Sequence, residues 1–228
     1  MNDIWNLRQL NLFSGLNPTI MEQVLGIVTI RQFQRGEFIF RPGDPCQQLY
    51  LLHYGRVKTY TLSEQGQEKI MHIFLPGDAF GDLLFGAPHG ELPWAQALDN
   101  VVVSFMDEAA FIRFMRTLPE LCLNIFRYMA NHHADDMRRL ENFIHTDASH
   151  RLVYTLLELG DRLGQQEATC CELPSFTHED LANMIGVARS TASELISQLR
   201  QAGVLSNRGR SLIIDRQAAE QFLLTGSR

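Results

Sequence analysis

Residues 176–216 read FTHEDLANMIGVARSTASELISQLRQAGVLSNRGRSLIIDR, which predicts two helices joined by a tight turn and followed by a hairpin. Thr177 is placed to cap the first helix. Glu179 and Asp180 follow in its first turn, where carboxylates favour the positive end of the helix dipole. Gly186 ends that helix and allows the tight turn. This order of elements is typical of a helix-turn-helix.

The second helix of this motif separates its residues into two faces. The inward stripe consists of Ala192, Leu195, Ile196 and Leu199. The outward face carries one arginine and short polar side chains, namely Arg189, Ser190, Ser193, Glu194 and Ser197. After Gly203, two short apolar runs flank the basic tip at residues 207–210, which predicts a wing that can contact phosphate.

The charge of this segment differs from that of the whole chain, which has a net charge of −6. Residues 187–216 hold five arginines against two acidic residues. Local basic charge of this kind is expected where DNA phosphates bind. We expect DNA contacts from Thr177, Arg189, Ser190, Ser193, Glu194, Ser197, Arg208 and Arg210. Arg189 is the first choice for a guanine edge or a nearby phosphate.

The first half of the chain has the alternation and turn spacing of short strands. Four strands are predicted at residues 37–40, 49–52, 57–60 and 70–74. Short strands at this spacing indicate a small barrel or roll.

A long helix is predicted from Pro119 to about His145, with a length of about 40 Å at 1.5 Å per residue. Residues three and four apart give a mostly apolar seam of the coiled-coil type, predicting a parallel homodimer. The seam consists of Cys122, Phe126, Met129, His133, Asp136, Leu140 and Phe143. Alternatively, this stripe packs only on its own roll. A dimer would place two recognition helices about 34 Å apart, so the expected DNA site is an inverted repeat.

Together these segments resemble the CRP/FNR family of bacterial transcription regulators over nearly the whole chain. The roll contributes Arg35–Glu37, Gly55–Val57 and Pro76–Asp82 to the match. The resemblance implies an α+β fold with an N-terminal cyclic-nucleotide-binding-like β-roll, a long dimerisation helix and a C-terminal winged helix-turn-helix. The implied domains are residues 1–117, 118–146 and 147–228, with a hinge at 144–147 and Asp147 capping the next helix.

The resemblance also implies partners and an effector site. Family members bind palindromic double-stranded DNA as homodimers, and those that activate transcription contact RNA polymerase. The implied effector pocket would be lined by Phe80, Gly81, Asp82, Leu83, Leu92, Trp94, His133, Asp136 and Met137.

Cyclic AMP is not expected as the effector. In the family's cyclic-AMP binders, Phe-Gly-Glu-Leu is followed downstream by Arg-Ser or Arg-Thr, whose arginine pairs with the phosphate. Here Phe80–Leu83 is followed by Glu91–Ala95, and no arginine lies between Arg56 and Arg113. Each charge-assisted hydrogen bond lost to a buried phosphate costs about 1.5–3 kcal/mol. The family's adenine-contacting hydroxyl pair falls on Asp136 and Met137, which lack hydroxyls.

An iron-sulfur cluster is not expected either. The cysteines are Cys46, Cys122, Cys170 and Cys171, with no CxxC spacing and none near the N-terminus. Cys122 is expected to be a buried small apolar residue in the seam, with a redox role if it is exposed. Cys170 and Cys171 are expected in a linker between helices. No metal set is predicted except as haem ligands, for which the candidates are His72, His89, His132 and His133.

The sequence is also compatible with functional classes other than a DNA-binding regulator. An enzyme could use His132 or His133 with Asp136 as a general base, but no nucleophile or metal set accompanies them, so no enzyme is predicted. A cyclic-nucleotide module that does not bind DNA would lack the wing and carry the phosphate arginine. A haem-based gas sensor or a redox sensor within the same family remains an alternative. The absence of a signal peptide and of a membrane-length apolar run leads us to expect a cytoplasmic protein.

Overall fold

Two four-stranded antiparallel sheets form the roll expected in the first half of the chain. The computed structural model describes residues 11–13, 26–44, 48–81, 93–163, 165–166, 169–209 and 211–225. By its internal contacts the chain divides into two units, residues 1–66 with 70–134 and residues 67–69 with 135–228. Each unit is described separately.

One sheet of the roll has the order β1-β8-β3-β6 and the other has the order β2-β7-β4-β5. Their strands are β1 (Thr29–Phe33), β2 (Phe38–Phe40), β3 (Gln48–Tyr54), β4 (Val57–Leu62), β5 (Glu68–Phe74), β6 (Ala79–Gly81), β7 (Trp94–Ala97) and β8 (Val101–Asp107). The four strands predicted from the sequence are confirmed as β2 to β5. The prediction missed β1, β6, β7 and β8.

Gly55 makes the turn between β3 and β4 possible. Its φ is +82°, and a Cβ at this position would lie 2.3 Å from the carbonyl oxygen of Asn100. Only glycine satisfies both conditions without displacing backbone. The following residue, Arg56, is buried and makes a bidentate ion pair with Asp99, with distances of 2.5 and 2.8 Å.

Strand β3 is buried on both faces because its successive side chains point to opposite sides of the sheet. Tyr50 and Leu52 belong to the core inside the roll. Leu49 and Leu51 belong to a second core that includes residues of the two following helices. This double burial explains why residues 49–52 form a continuous apolar run rather than an alternating one.

The helices of the first unit begin where β8 ends. Helix α1 (Glu108–Thr117) is capped by Asp107, whose carboxylate accepts a hydrogen bond of 2.8 Å from the Ala110 N–H. Helix α2 (Pro119–His145) starts with proline, which needs no hydrogen-bond partner in a first turn. Its bounds confirm the predicted long helix.

The second unit surrounds the helix-turn-helix with further helices and a small antiparallel sheet. The elements are α3 (Ala148–Leu163), β9 (Gln165–Gln166), β10 (Cys170–Leu173), α4 (His178–Ile185), α5 (Arg189–Gln201), β11 (Leu205–Arg208), β12 (Ser211–Asp215) and α6 (Arg216–Thr225). The sheet order is β11-β12-β10-β9. Within the described ranges, no helix combines the length and apolarity needed to cross a membrane.

The linker predicted at Cys170 and Cys171 is wrong, because both residues lie in β10, paired with β12. Cys171 is buried, and a Cβ added at Gly160 of α3 would lie 3.1 Å from its Cβ, so helix and strand pack closely here. Short strands such as β10 depend on a distant partner in sequence, which local patterns do not reveal. Cys46 lies outside the described residues.

Candidate functional site

The first helix of the helix-turn-helix begins at a capping box. The Thr177 hydroxyl donates to Asp180 Oδ2 at 2.6 Å and accepts from the Asp180 N–H at 3.0 Å. The Asp180 carboxylate also accepts from the Thr177 N–H at 3.1 Å. Thr177 was predicted both as a cap and as a DNA contact. Its hydroxyl already makes the cap, so its main role is to fix where α4 starts.

The turn between α4 and α5 has the expected geometry. Gly186 lies in the left-handed region with φ of +70°, and the Val187 N–H donates to the Ala182 carbonyl at 3.1 Å. This bond satisfies a carbonyl at the end of α4 and directs the chain into α5.

Helix α5 has the two faces predicted from its sequence. Ala192, Ile196 and Leu199 are buried, and Leu195 is half-buried. Four predicted DNA contacts are exposed on the other face, namely Arg189, Ser190, Glu194 and Ser197. Ala188, at the N-cap position, makes no side-chain cap. The first turn of α5 therefore receives no side-chain acceptor from its N-cap residue, an arrangement that suits a phosphate.

Arg189 is held only weakly within the protein. Its side chain is 72% exposed, and its Nε lies 4.0 Å from Glu179 Oε2, which is itself on an exposed side chain. An exposed ion pair at this distance contributes about 0–1 kcal/mol. A phosphate or guanine can therefore compete for Arg189 at little cost.

Ser193 connects the two helices instead of facing fully outward. Its hydroxyl donates to the Arg189 carbonyl at 2.9 Å and shares a hydrogen bond of 2.8 Å with His178 Nδ1. His178 is not among the residues predicted from the sequence. The available signal was its position, because the first residue of α4 lies beside the start of the recognition helix.

The wing is the hairpin of β11 and β12, in which Arg208 pairs with Ser211. Arg208 Nη1 donates to Glu172 Oε2 at 3.3 Å, and Arg200 Nη2 of α5 donates to Asn207 Oδ1 at 3.0 Å. The second bond joins the recognition helix to the wing. Arg210 lies outside the described residues.

The break between α2 and α3 falls within the predicted hinge. As predicted, Asp147 caps α3, accepting hydrogen bonds from the His150 N–H at 2.9 Å and the Ser149 hydroxyl at 2.7 Å. Desolvation raises the pKa of Asp147, but these bonds and the His150 ring outweigh it and lower that pKa to about 2. Arg151 donates to the Thr146 carbonyl at 2.7 Å and to the Ile185 carbonyl at 3.1 Å. One arginine thus ties the hinge to the end of α4.

Phe80 and Trp94, two of the residues predicted to line the effector pocket, lie in different sheets of the roll. Phe80 is buried inside the roll, where its ring lies 5.2 Å from the rings of both Tyr50 and Phe74. Trp94 lies on the other side of the sheet, because its neighbour Ala95 is in the core. Its ring contacts Tyr60 at 6.0 Å and Phe38 at 5.4 Å.

The other described residues predicted for this pocket differ in their exposure. His133 and Met137 are exposed on α2, Asp136 is half-buried, and Gly81 ends β6. Asp82, Leu83, His89 and Leu92 lie outside the described residues. The assignment of His133, Asp136 and Met137 to the pocket follows the family's register along α2, and it stays a prediction.

His132, not His133, is the α2 histidine that faces the roll. Its ring lies 4.3 Å from Tyr128, 6.4 Å from Phe74 and 6.1 Å from His72 of β5. The Tyr128 hydroxyl donates to the Ala79 carbonyl at 2.5 Å and accepts from the Ala79 N–H at 3.0 Å. The sequence carried a signal for this face, since the buried Leu121, Ile125 and Tyr128 continue to His132 at spacings of four, three and four.

At most of its positions, the exposed apolar stripe of α2 lies one residue later in the sequence than the predicted seam. All members of the exposed stripe are solvent-accessible and alternate by three and four: Leu123, Phe126, Ala130, His133, Met137, Leu140 and Ile144. Phe126, His133 and Leu140 belong to both sets.

Three of the other seam residues contact other parts of the same chain. Met129 packs against the second core, and Cys122 Sγ lies 3.2 Å from the Met115 carbonyl oxygen. The Phe143 ring lies 5.0 Å from the Arg151 guanidinium. Cys122 is half-buried rather than fully buried.

Two family models match the chain, one to each of its two main parts. A model described as "Cyclic nucleotide-binding domain" matches residues 30–117. A model described as "Crp-like helix-turn-helix domain" matches residues 150–222. The matches cover the roll and the winged helix-turn-helix in the expected order.

Full-length comparisons agree with this division. The chain is 26% identical to the "CRP-like cAMP-activated global transcriptional regulator" of Mycobacterium tuberculosis over 91% of this chain and 93% of that protein. It is 29% identical to "Electron transport regulator A" of Shewanella oneidensis over 87% of this chain and 80% of that protein. The fold is also similar to that of FixK2 from Bradyrhizobium japonicum, with a TM-score of 0.75, 22% identity and coverage of 86% and 96% of the two chains. The chain therefore belongs to the CRP/FNR family of transcription regulators.

Proposed function

We propose that this protein is a homodimer that binds an inverted-repeat DNA site through α5, under the control of a signal other than cyclic AMP. The observation that carries the DNA-binding part is the outward face of α5. Arg189, Ser190, Glu194 and Ser197 are exposed at the uncapped start of a helix whose other face is buried. A helix presented in this way fits the major groove, with its first turns on the base edges.

Specific features of this face determine what it would recognise. Arg189 would bind guanine or the adjacent phosphate. Glu194 accepts hydrogen bonds, so it favours a cytosine amino group and disfavours a guanine edge. Arg208 of the wing would contact phosphate, which positions the protein without reading sequence.

The exposed stripe on α2 supports the homodimer. Its three and four spacing is that of a coiled-coil seam, and it leaves Phe126 68% exposed in the isolated chain. An apolar stripe of this size is expected to be covered in the functional protein. A parallel pair of α2 helices would present two α5 helices to successive major grooves. Activation through contact with RNA polymerase, as in family members, is part of this proposal.

The packing of the roll supports a signal other than cyclic AMP. The arginine that most closely precedes residues 80–95 in the sequence is Arg56, which forms an ion pair with Asp99. The next arginine in the sequence is Arg113. The interior is filled by the stacked rings of Phe40, Tyr50, Phe74 and Phe80. In the described part of the roll, Arg56 is thus already paired and aromatic rings occupy the core, which supports a signal other than cyclic AMP.

DNA binding through α5 is tested by comparing Arg189→Ala with Gln221→Ala. Both residues are exposed in the second unit, but Gln221 lies on α6, outside the helix-turn-helix and the wing. We expect Arg189→Ala to weaken binding to the protein's selected site by about 1–3 kcal/mol, measured by fluorescence anisotropy. Gln221→Ala should bind as the unmodified protein does. Equal loss in both variants, or no loss in either, would contradict the assigned recognition face.

A further inference from the structure

His178, the first residue of α4, is bonded directly to the recognition helix. Its Nδ1 lies 2.8 Å from the Ser193 hydroxyl oxygen, and that oxygen lies 2.9 Å from the Arg189 carbonyl oxygen. The imidazole and Ser193 are both half-buried. The imidazole therefore lies beside the first turn of α5, where the missing side-chain cap suits a DNA phosphate.

The two hydrogen bonds determine which nitrogen of neutral His178 carries the proton. The Ser193 hydroxyl has a single proton, which it donates to the Arg189 carbonyl. The hydroxyl oxygen must therefore accept from Nδ1, so Nδ1 holds the proton and Nε2 of the neutral ring presents a lone pair. A lone pair repels phosphate oxygens. A second proton, on Nε2, supplies both a donor and a positive charge, which a phosphate binds strongly.

The charged and titratable side chains on α4 and on the first turns of the helices packed against it leave Nε2 open. They are Glu179 and Asp180 of α4, Arg189 and Glu194 of α5, and His150 and Arg151 of α3. Asp180 is bound to Thr177, and Glu179 lies 4.0 Å from Arg189. Within the described part of the chain, the hydrogen-bond partner of the imidazole is Ser193. Since Nε2 is not among the buried atoms that lack a partner, it is accessible to solvent and to a ligand.

We propose that His178 is a proton-dependent contact to a DNA phosphate, so that this protein binds DNA more tightly as the pH falls from about 8 to about 6, the range in which imidazoles gain their charge. The contact rests on the proposed function above, because the phosphate belongs to the DNA that α5 is proposed to bind. It adds a dependence on pH that the other predicted DNA contacts do not supply, since arginine, serine and threonine keep their charge over this range.

The test measures affinity for the protein's selected site by fluorescence anisotropy at these two pH values and at several salt concentrations. The unmodified protein should bind at least about threefold more tightly at the lower pH. The plot of log affinity against log salt should also be steeper at the lower pH, by up to about 0.9 for each protomer, because one more phosphate is neutralised. A residue that only supports the fold would not change this slope.

Two substitutions at the same position separate charge from packing. His178→Gln should bind at both pH values as the unmodified protein does at the higher one, because the amide can donate to Ser193 but gains no charge. His178→Arg should bind tightly at both pH values. The control is His72→Gln, on β5 of the first unit, which should keep the pH dependence. Circular dichroism checks that each variant is folded.

Three outcomes would overturn the proposal. They are equal affinity of the unmodified protein at the two pH values, a pH dependence that persists in His178→Gln, and His178→Arg binding no more tightly than His178→Gln at the higher pH. With binding still weakened by Arg189→Ala, each of these would leave the DNA-binding proposal standing. No binding by the unmodified protein at either pH would contradict both proposals together.

Discussion

At the scale of single residues, Glu194 and Ser190 decide which bases α5 can read. Both are exposed on the same face as Arg189. Family members that read TGTGA half-sites carry glutamate directly after the arginine and a second arginine four positions later. This chain has serine and glutamate at those places, so its half-site is expected to differ.

This difference predicts the effect of a double substitution. Ser190→Glu with Glu194→Arg should increase affinity for an inverted repeat of TGTGA by at least tenfold over the unmodified protein, because each good bidentate pair discriminates by about 1–3 kcal/mol. Ser197→Arg changes the net charge by the same amount and serves as the control. An equal gain in the control would mean that charge, and not base reading, is responsible.

His53 makes the stability of the roll dependent on pH. Its Nε2 shares a hydrogen bond of 2.7 Å with the fully buried Ser104, and desolvation lowers its pKa below the ordinary value of 6.5. The unfolded chain therefore binds a proton more readily than the folded chain. The stabilising contribution of neutral His53 is present above pH 6.5 and is lost as the pH falls toward the lower folded-state pKa.

We therefore expect His53→Gln to reduce the loss of stability between pH 7 and pH 5. Urea unfolding at both pH values measures this loss, with the exposed His133→Gln as the control. Stability that falls by the same amount in His53→Gln and in the unmodified protein would show that His53 does not carry the effect.

At the scale of elements, the bounds of α2 were predictable from Pro119 and the apolar periodicity. Its register, meaning which residues form the exposed apolar stripe, was not predictable. Two stripes one residue apart both alternate by three and four, and the choice between them depends on which residues the roll covers. Met129 and Cys122 contact other parts of the same chain, which leaves Leu123 and Ala130 to the exposed stripe.

The register leads to a prediction about assembly. Phe126→Asp should convert the proposed dimer into monomers, because it places a carboxylate in the middle of an apolar stripe. Phe126 is exposed in the protomer, so the protomer should remain folded. Arg127→Asp places the same charge one residue off the stripe and should leave the dimer intact. Sedimentation equilibrium distinguishes these states, and a dimeric Phe126→Asp would contradict the interface.

The recognition elements were more predictable than the sensor elements, for a physical reason. Helices α4 and α5 could be predicted from local signals in the sequence, namely the Thr177 cap, the glycine at position 186 and the apolar stripe ending at Leu199. Strands β6, β7 and β10 instead exist because of partners distant in sequence. The approach of His72 to His132 is a contact of the same long-range kind, so no local pattern could have paired them.

At the scale of the whole molecule, the roll and the winged helix-turn-helix lead to separate predictions. Cyclic AMP at millimolar concentration should leave the Tm unchanged, because a ligand that binds the folded state must raise it. The reason lies in the roll, where Arg56 is paired with Asp99 and aromatic rings fill the interior. Differential scanning fluorimetry measures the Tm, and a clear concentration-dependent rise would contradict this account of the roll.

The central claim is that a symmetric dimer reads DNA through α5, and selection of binding sites from random duplex DNA tests it most directly. The account predicts enrichment of an inverted repeat whose half-site centres lie about 10–10.5 base pairs apart, in step with two α5 helices in successive major grooves. Enrichment should disappear with Arg189→Ala. Recovery of sites without two-fold symmetry, or no enrichment by the unmodified protein, would contradict it.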